Sequence, residues 1–512
     1  MTTTSLQHRR GGAADPIPST TTSASGQQQP VVLIVGGGPC GASIAKSLAE
    51  KNVYRVQLVE AYAHPKHTII NKQRSPKHNN AHVISLRARG QRCLRSTTGV
   101  EPQDVTQAVI SHHMVRHPSN TTMTAKTPAL VAPRQVLTAH LLDQAQAAGV
   151  EILFEHKLVN IDFDRRVAEV QTTTSDDVVR IPYDLLVGCD GSHSKVRTLL
   201  DEFAEDFRVE RLETDSMEYQ VAVFESNPLA DSHPVGASHV WSDKTYNSIC
   251  LAFPLIGNKL LFVVVFPAGK LAEFQSKPGG YNDAFEKLFP DISDAMKVEL
   301  VRQLSVGSPA NGGTCVWTSS LGSVLHGVAL VGDSAHGTTS YRTELPVSNT
   351  SHTFFFFSSS LGMWPSLGQG CNCALESAAV FCNTIDELTG FAMDDETSMV
   401  SWAGMLVKEF NQRRFADARA AVDLTYGGIG ARAARGRQNA PLSYKMQMIG
   451  MMLLHKMTAG LIPKPALLRL MSDEDVSYST ARRFNFYYEK IICLGTVALC
   501  SVGIYWWKQS RG

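Results

Sequence analysis

The sequence predicts an α/β protein in which a parallel sheet is interrupted by a second, antiparallel layer and followed by helices. Three observations carry this expectation. Val31 to Val35 is an unbroken apolar run, followed by a glycine turn, a helical stretch to Lys51 and a second apolar run, Val56 to Val59. Such runs suit strands buried on both faces of a parallel sheet. Similar runs return far downstream, at Leu185 to Val187 and within GVALVGDSAH (Gly327 to His336). Between them, Glu210 to about Trp317 alternates apolar and polar residues in MEYQVAVFE, SICLAFPL and LLFVVVFP, the period of antiparallel strands.

Length and composition bound the function. At 512 residues the chain has room for two or more domains. Its 48 Lys+Arg nearly cancel its 47 Asp+Glu, which argues against a nucleic-acid partner. The 10 cysteines form no CxxC pair and the 17 histidines no HExxH spacing, so neither a disulfide framework nor a metal is expected. Residues 1–29 are rich in Thr, Ser, Gly and Gln and read as a disordered tail without a secretory signal.

Taken in order, the first unit carries the most specific signal. Gly36, Gly38 and Gly41 stand at G-x-G-x-x-G spacing between strand and helix. The first permits a tight turn, the second lets a pyrophosphate approach the backbone, and the third lets helix and strand pack closely. Glu60 ends the second strand 19 residues after Gly41, where an acid binds ribose hydroxyls. The unit predicts a Rossmann-like dinucleotide site at a helix N-terminus. His82 to Arg95 reads as a strand running into a helix, and Pro133 and Arg134 open a helix with apolar positions Val136, Leu137, Leu141, Leu142 and Ala145. Glu151 to Asp162 and Arg166 to Thr172 read as strands. A strand then runs into Asp190 and Gly191, with Arg197 on the helix that follows, and another ends at Gly332 and Asp333. Gly368, Gln369 and Gly370 open a long amphipathic helix, and Val407 to Arg435 and Ser443 to Met457 read as further helices. Ile491 to Trp507 is a charge-free run of 17 residues flanked by basic residues and ending in Tyr-Trp-Trp, which predicts a C-terminal transmembrane anchor.

Three separated motifs together resemble the class A flavin monooxygenases, with the para-hydroxybenzoate-hydroxylase-like fold. They are G-x-G-x-x-G with Glu60, CDG…VR at Cys189 to Arg197, and GDSAH with P-x-x-GQG at Pro365 to Gly370. The resemblance implies an FAD-binding domain in two parts, 30–205 and 319–390, around a β-sheet substrate domain at 206–318. Helices at 391–485 and the anchor at 491–507 follow. It also implies an FAD-dependent enzyme that consumes NADPH or NADH and O₂, hydroxylating an aromatic substrate through a flavin C4a-hydroperoxide. Catalysis would then be flavin-centred, with no side-chain base; His336, within the Gly-Asp motif, is read as structural. Within the class the chain is similar to the kynurenine 3-monooxygenases. PRQVLTAHLL would place Arg134 at the FAD phosphates, FEHKLVNID adds Leu158 to the cofactor-binding residues, and Cys371 and Asn372 fall where that family has a flavin-contacting Met-Asn pair. That group's substrate-carboxylate arginine corresponds to His112–Met114, and Arg116 is the nearest arginine; LTYGGIGAR matches its substrate-amine helix with Tyr426 but no acid. The anchored layout implies a catalytic body in the cytosol, with the mitochondrial outer membrane as one destination. Two alternatives stay open: an epoxidase or reductase acting on an isoprenoid or lipid-like substrate, and an inactive flavin-binding protein tethered to a membrane.

One segment breaks the family spacing. Removing Thr338 to Gly362 joins GDSAHG to MWPSLGQG and restores it. The insert holds Phe354 to Phe357 followed by Ser358 to Ser360, the translation expected of a polypyrimidine tract before a splice acceptor. A retained intron in the gene model is one reading, and a genuine loop is the other. Four consecutive phenylalanines would give such a loop a large apolar patch.

Overall fold

The computed structural model describes residues 29–66, 83–214, 217–242, 248–306, 309–311, 314–337, 369–388, 396–427, 450, 452–460 and 476–483. Pro365, Gly368, the 338–362 insert, the 491–507 run and nearly all of the N-terminal tail lie outside them.

Two sheets organise the chain. The first has six strands in the order β18 (Gly322–Ser323), β19 (Val328–Leu330), β10 (Leu185–Gly188), β1 (Val31–Val35), β2 (Arg55–Val59) and β6 (Glu151–Leu153). All neighbours are parallel except β18 with β19. Every residue of β1 is buried, as an apolar run in a doubly covered strand requires. Each such side chain contributes about 1.5–3 kcal/mol relative to exposure. Helix α1 (Pro39–Ala49) is buried along its whole length. It packs on α3 (Arg134–Ala147) and α9 (Gln369–Leu388), which explains its Ala- and Ser-rich sequence. A small antiparallel sheet of β7 (His156–Asp162), β8 (Val167–Thr172) and β9 (Val178–Pro182) leads from β6 to β10.

The second sheet has eight strands: those of the inserted segment pair antiparallel with one another, as expected, and three earlier strands extend the sheet. Its order is β16 (Ala310–Asn311), β12 (Met217–Phe224), β15 (Lys259–Pro267), β14 (Ile249–Leu255), β13 (Ser238–Ser242), β4 (Val109–Arg116), β5 (Thr121–Pro133) and β3 (Val83–Leu86). Strands β3–β5 precede the expected 206–318 insertion, and β13 joins β4 in parallel register. Alternation reveals a strand's period but not its partner, so the seam could not be read from sequence. One face of this sheet buries Met114, Val131, Tyr219, Val240 and Val263. The other buries Trp241, Phe262 and Phe266 against α5 (Lys270–Ser276), α6 (Gly280–Leu288) and α7 (Asp294–Leu304). A two-stranded ribbon pairs β11 (Val209–Thr214) with β17 (Thr314–Thr318).

Helix α2 (Ala88–Thr98) follows β3, α4 (Lys195–Phe203) follows β10, and α8 (Asp333–His336) follows β19. Helix α10 (Glu396–Gly427) packs on α9. Residues 452–457 are helical, within the run Ser443 to Met457 expected to be so. Among the described residues no helix is long and apolar enough to cross a membrane.

Candidate functional site

The parallel sheet ends in four loops that backbone hydrogen bonds stitch side by side. Gly36 N donates to Val59 O, Cys189 N to Val35 O, Val331 N to Gly188 O and Glu60 N to Leu153 O, at 2.7–2.9 Å. Gly36, Glu60, Asp190 and Asp333 thus meet along one edge, at the carboxyl ends of their strands, where open α/β sheets bind ligands.

The glycine turn leaves no room for side chains. Gly36 has φ +105°, and a Cβ there would overlap the Cys189 carbonyl. A Cβ on Gly41 would overlap Gly36 O and press on Cys189 Cβ. Gly38 is the N-cap of α1 and offers no side-chain cap; Pro39 follows at the first position, and no acid stands in the first turn. The helix therefore presents its partial positive charge uncompensated by its own residues.

Glu60 faces that turn. Its carboxylate accepts from Gly37 N at 2.6 Å and Tyr62 N at 3.0 Å. Burial raises its pKa, and these two N–H groups and Arg134 pull it back. Arg134, exposed at the head of α3, holds a guanidinium nitrogen 3.4 Å from where a Cβ on Gly38 would lie.

Asp190 caps the next helix. One carboxylate oxygen accepts from Lys195 N at 2.7 Å and Val196 N at 3.1 Å, whereas Oδ1 is buried with no hydrogen-bond partner. Burial is the main cause raising its pKa. Gly191 lies beside it with φ +81°. Asp333 opens α8 after Gly332, its carboxyl also raised by burial and opposed by Arg134. Gly332 abuts Cys40 of α1 and Ala374 of α9, so the Gly-Asp turn touches both helices.

Several other sequence-selected residues are held by the packing around this edge. Arg197 is buried and donates to Ser334 O at 2.8 Å and Ser192 O at 2.7 Å, bracketing the Asp-Gly and Gly-Asp loops together. Leu158 is a core residue of β7. Asn372 is fully buried; it accepts from Arg87 N at 2.9 Å and donates to Ser85 O at 3.2 Å, tying α9 to the β3–α2 junction. Cys371 is half-buried at the start of α9, its thiol pushed up to about 12 by burial. Gln369 and Gly370 form the first turn of that helix. His336 is buried, held at 2.8 Å from Ser377 Oγ and down to about 3 by burial.

On the sheet side, Arg116 ends β4 two residues beyond Met114, so it shares the face that buries Tyr219 and Val240. Burial lowers its pKa. Tyr219 lies within electrostatic reach of Arg134, its phenol raised to about 12 by burial. Tyr219 had no sequence signal beyond strand alternation. Tyr426 falls in the last turn of α10.

A buried ionic network also lay beyond the motifs. Arg89 of α2 and Arg414 of α10 both pair with Glu376 of α9. Arg89 also donates to Val476 O at 2.5 Å and lies over the Tyr478 ring. The network locks α2, α9, α10 and residues 476–483 together.

Comparison with known proteins agrees with this architecture. A family model described as FAD binding domain matches residues 29–339. Kynurenine 3-monooxygenase of Aspergillus terreus is 24% identical over 309 residues, 57% of this chain and 55% of the relative. That of Caenorhabditis elegans is 25% identical over 275 residues, 50% and 52%. The chain thus spans about half the length of the curated relatives it matches. Among solved structures, P. aeruginosa PqsL in complex with 2-aminobenzoylacetate aligns with TM-score 0.54 at 19% identity, covering 80% of this chain and 98% of that one. A 2-methyl-3-hydroxypyridine-5-carboxylic acid oxygenase aligns at 0.52 and 18%, covering 80% and 94%. These two share the fold. With its family model matched over more than half its length, the chain belongs to the FAD-binding domain family.

Proposed function

We propose that this chain is an FAD-dependent monooxygenase that consumes NADPH or NADH and O₂ and hydroxylates an aromatic substrate bearing a carboxylate, with kynurenine as the first candidate. The observation that carries the reading is the convergence of four loops on one edge, three of them ending in a carboxylate, beside an uncapped helix N-terminus and Arg134. These residues suit FAD. Glu60 fits the adenosine ribose, Gly38, Arg134 and the α1 N-terminus fit the pyrophosphate, and Asp333 fits ribityl hydroxyls. The orphaned Oδ1 of Asp190 is an acceptor awaiting a donor.

Bound flavin would supply the redox chemistry, taking reducing equivalents from NAD(P)H and activating O₂. The chain's own contribution is placement and electrostatics. Gly370, Cys371 and the first turn of α9 aim N–H groups and a positive helix end at the site, which favours negative charge gathering there. Asn372 and the Glu376 network hold that helix at a fixed angle. On the inner sheet face Arg116 is the cation proposed to receive a substrate carboxylate, and Tyr219 lines the same space. Tyr426 remains a proposed substrate contact.

The similarity to kynurenine 3-monooxygenases of Aspergillus terreus and Caenorhabditis elegans supports the substrate class, as does the sequence resemblance. For location, we propose that the 491–507 run anchors the protein, with the body in the cytosol. Alkaline carbonate extraction of the full chain and of a variant ending at residue 485 would test it; release of the full chain into the soluble fraction would refute it.

The functional test is NADPH oxidation by FAD-loaded protein with and without residues 338–362, in the presence and absence of L-kynurenine. Substrate-stimulated oxidation with a hydroxylated product by mass spectrometry is expected once the segment is removed. A normal flavin spectrum without stimulation by any aromatic acid would overturn the reading. Transcript reads joining Gly337 to Met363 would support a retained intron, and native peptides from the segment would exclude it.

A further inference from the structure

The outer face of the eight-stranded sheet carries a histidine cluster that the flavin chemistry does not use. His117 follows β4, His239 lies in β13, and His233 sits in the loop between β12 and β13. One ligand-capable atom from each lies within 4.8 Å of the others. Nε2 of His117 and Nδ1 of His239 are 3.2 Å apart. Two nitrogens bound to one tetrahedral zinc at about 2.0–2.1 Å are themselves about 3.3 Å apart. The pair already has ligand spacing, and half-buried His233, on a loop, has the freedom to complete it.

The surroundings also suit a metal. Asp291 Oδ2 lies 3.7 Å from the other ring nitrogen of His117. That sets a carboxylate behind the imidazole just beyond hydrogen-bond length, from where a small approach on metal binding would orient the ring and raise its basicity. Trp241 stacks on His117 with centroids 4.2 Å apart and an interplanar angle of 8°, fixing the ring. A hydrogen bond between two neutral rings would account for His117 and His239, but not for the third imidazole turned toward them with centroids 5.3 and 5.1 Å away.

We propose that His117, His233 and His239 form a site for a zinc-class divalent ion, with Asp291 orienting His117 and water completing the coordination. Imidazole-rich sets favour zinc and its late transition-metal neighbours over magnesium or calcium. His239 and Trp241 alternate with Val240, so the sheet separates this site from the face bearing Arg116. Its role is to clamp the β12–β13 loop to the β4–β13 seam.

The test uses untagged full-length protein, stripped with a chelator and titrated with Co²⁺ as a spectroscopic probe. One Co²⁺ per chain is expected, with the intense visible bands of tetrahedral coordination, displaced by Zn²⁺. His233→Ala removes a half-buried ligand and should weaken binding by more than about 100-fold, and Asp291→Asn by about 10-fold. Far-UV circular dichroism verifies that each variant is folded, and His112→Ala, which alters an exposed histidine of β4, should bind as the wild type does. Unchanged affinity in folded His233→Ala, or wild-type binding no tighter than millimolar, would overturn the proposal. None of these readouts depends on flavin turnover.

Discussion

The flavin-side edge and the eight-stranded sheet assemble their chemistry in different ways. At the edge, function resides in short segments: Gly36, Gly38, Gly41 and Glu60 occupy one strand–turn–helix–strand unit, and the Asp-Gly and Gly-Asp motifs are each a few residues long. On the sheet, Arg116, Tyr219 and the three histidines come from strands and flanking loops brought together only by tertiary pairing. The first kind of site is written in local spacing. The second exists only once register is set.

The largest effect should come from breaking the local unit. Gly41→Val puts a branched side chain where even a Cβ overlaps Gly36 O. Overpacking costs about 1–3 kcal/mol, so FAD affinity, read by quenching of flavin fluorescence, should fall by about 5- to 150-fold. Unchanged affinity would mean that the turn does not carry the cofactor.

Arg116→Ala should separate the two regions. Loss of a charge-assisted contact of about 1.5–3 kcal/mol should raise KM for a carboxylate substrate by about 10- to 150-fold while leaving FAD affinity as it was. Equal losses of both would show that the sheet face and the edge act as one unit.

The smallest effect concerns His336, which joins the Gly-Asp loop to α9 through Ser377. Its folded pKa of about 3 lies below the ordinary 6.5. Below pH 6.5 the unfolded chain therefore takes up a proton that the folded chain does not. This contribution is whole above about pH 6.5 and falls as pH drops toward 3, by up to about 1.4 kcal/mol per pH unit. The raised carboxyls of Asp190 and Asp333 act with the opposite sign, so the wild-type profile mixes the two. The difference between wild type and His336→Asn in urea unfolding from pH 7 to 5 isolates the imidazole. The variant should be less stable at pH 7 but show a shallower decline on acidification.

The same contrast explains what could be read from the sequence. Strand, turn and acid around Gly36 and Glu60 were legible because each obeys a spacing fixed by backbone geometry. The expected location of Asp190 and Asp333 at strand ends followed from the apolar runs before them. Arg197 and Asn372 were legible as motif members, but not as the braces their hydrogen bonds make them. Tyr219 and the Glu376 network carried no local pattern. The histidine cluster escaped the search for metal spacing because its members are 116 and 6 positions apart, on separate elements.

The most direct measurement is a titration of FAD into the purified full-length chain, followed by flavin fluorescence and visible absorption. One FAD per chain is expected, with the perturbed visible spectrum of an enclosed flavin and weakened binding in Gly41→Val. Folded protein that leaves flavin fluorescence and spectrum unchanged at every concentration would contradict it.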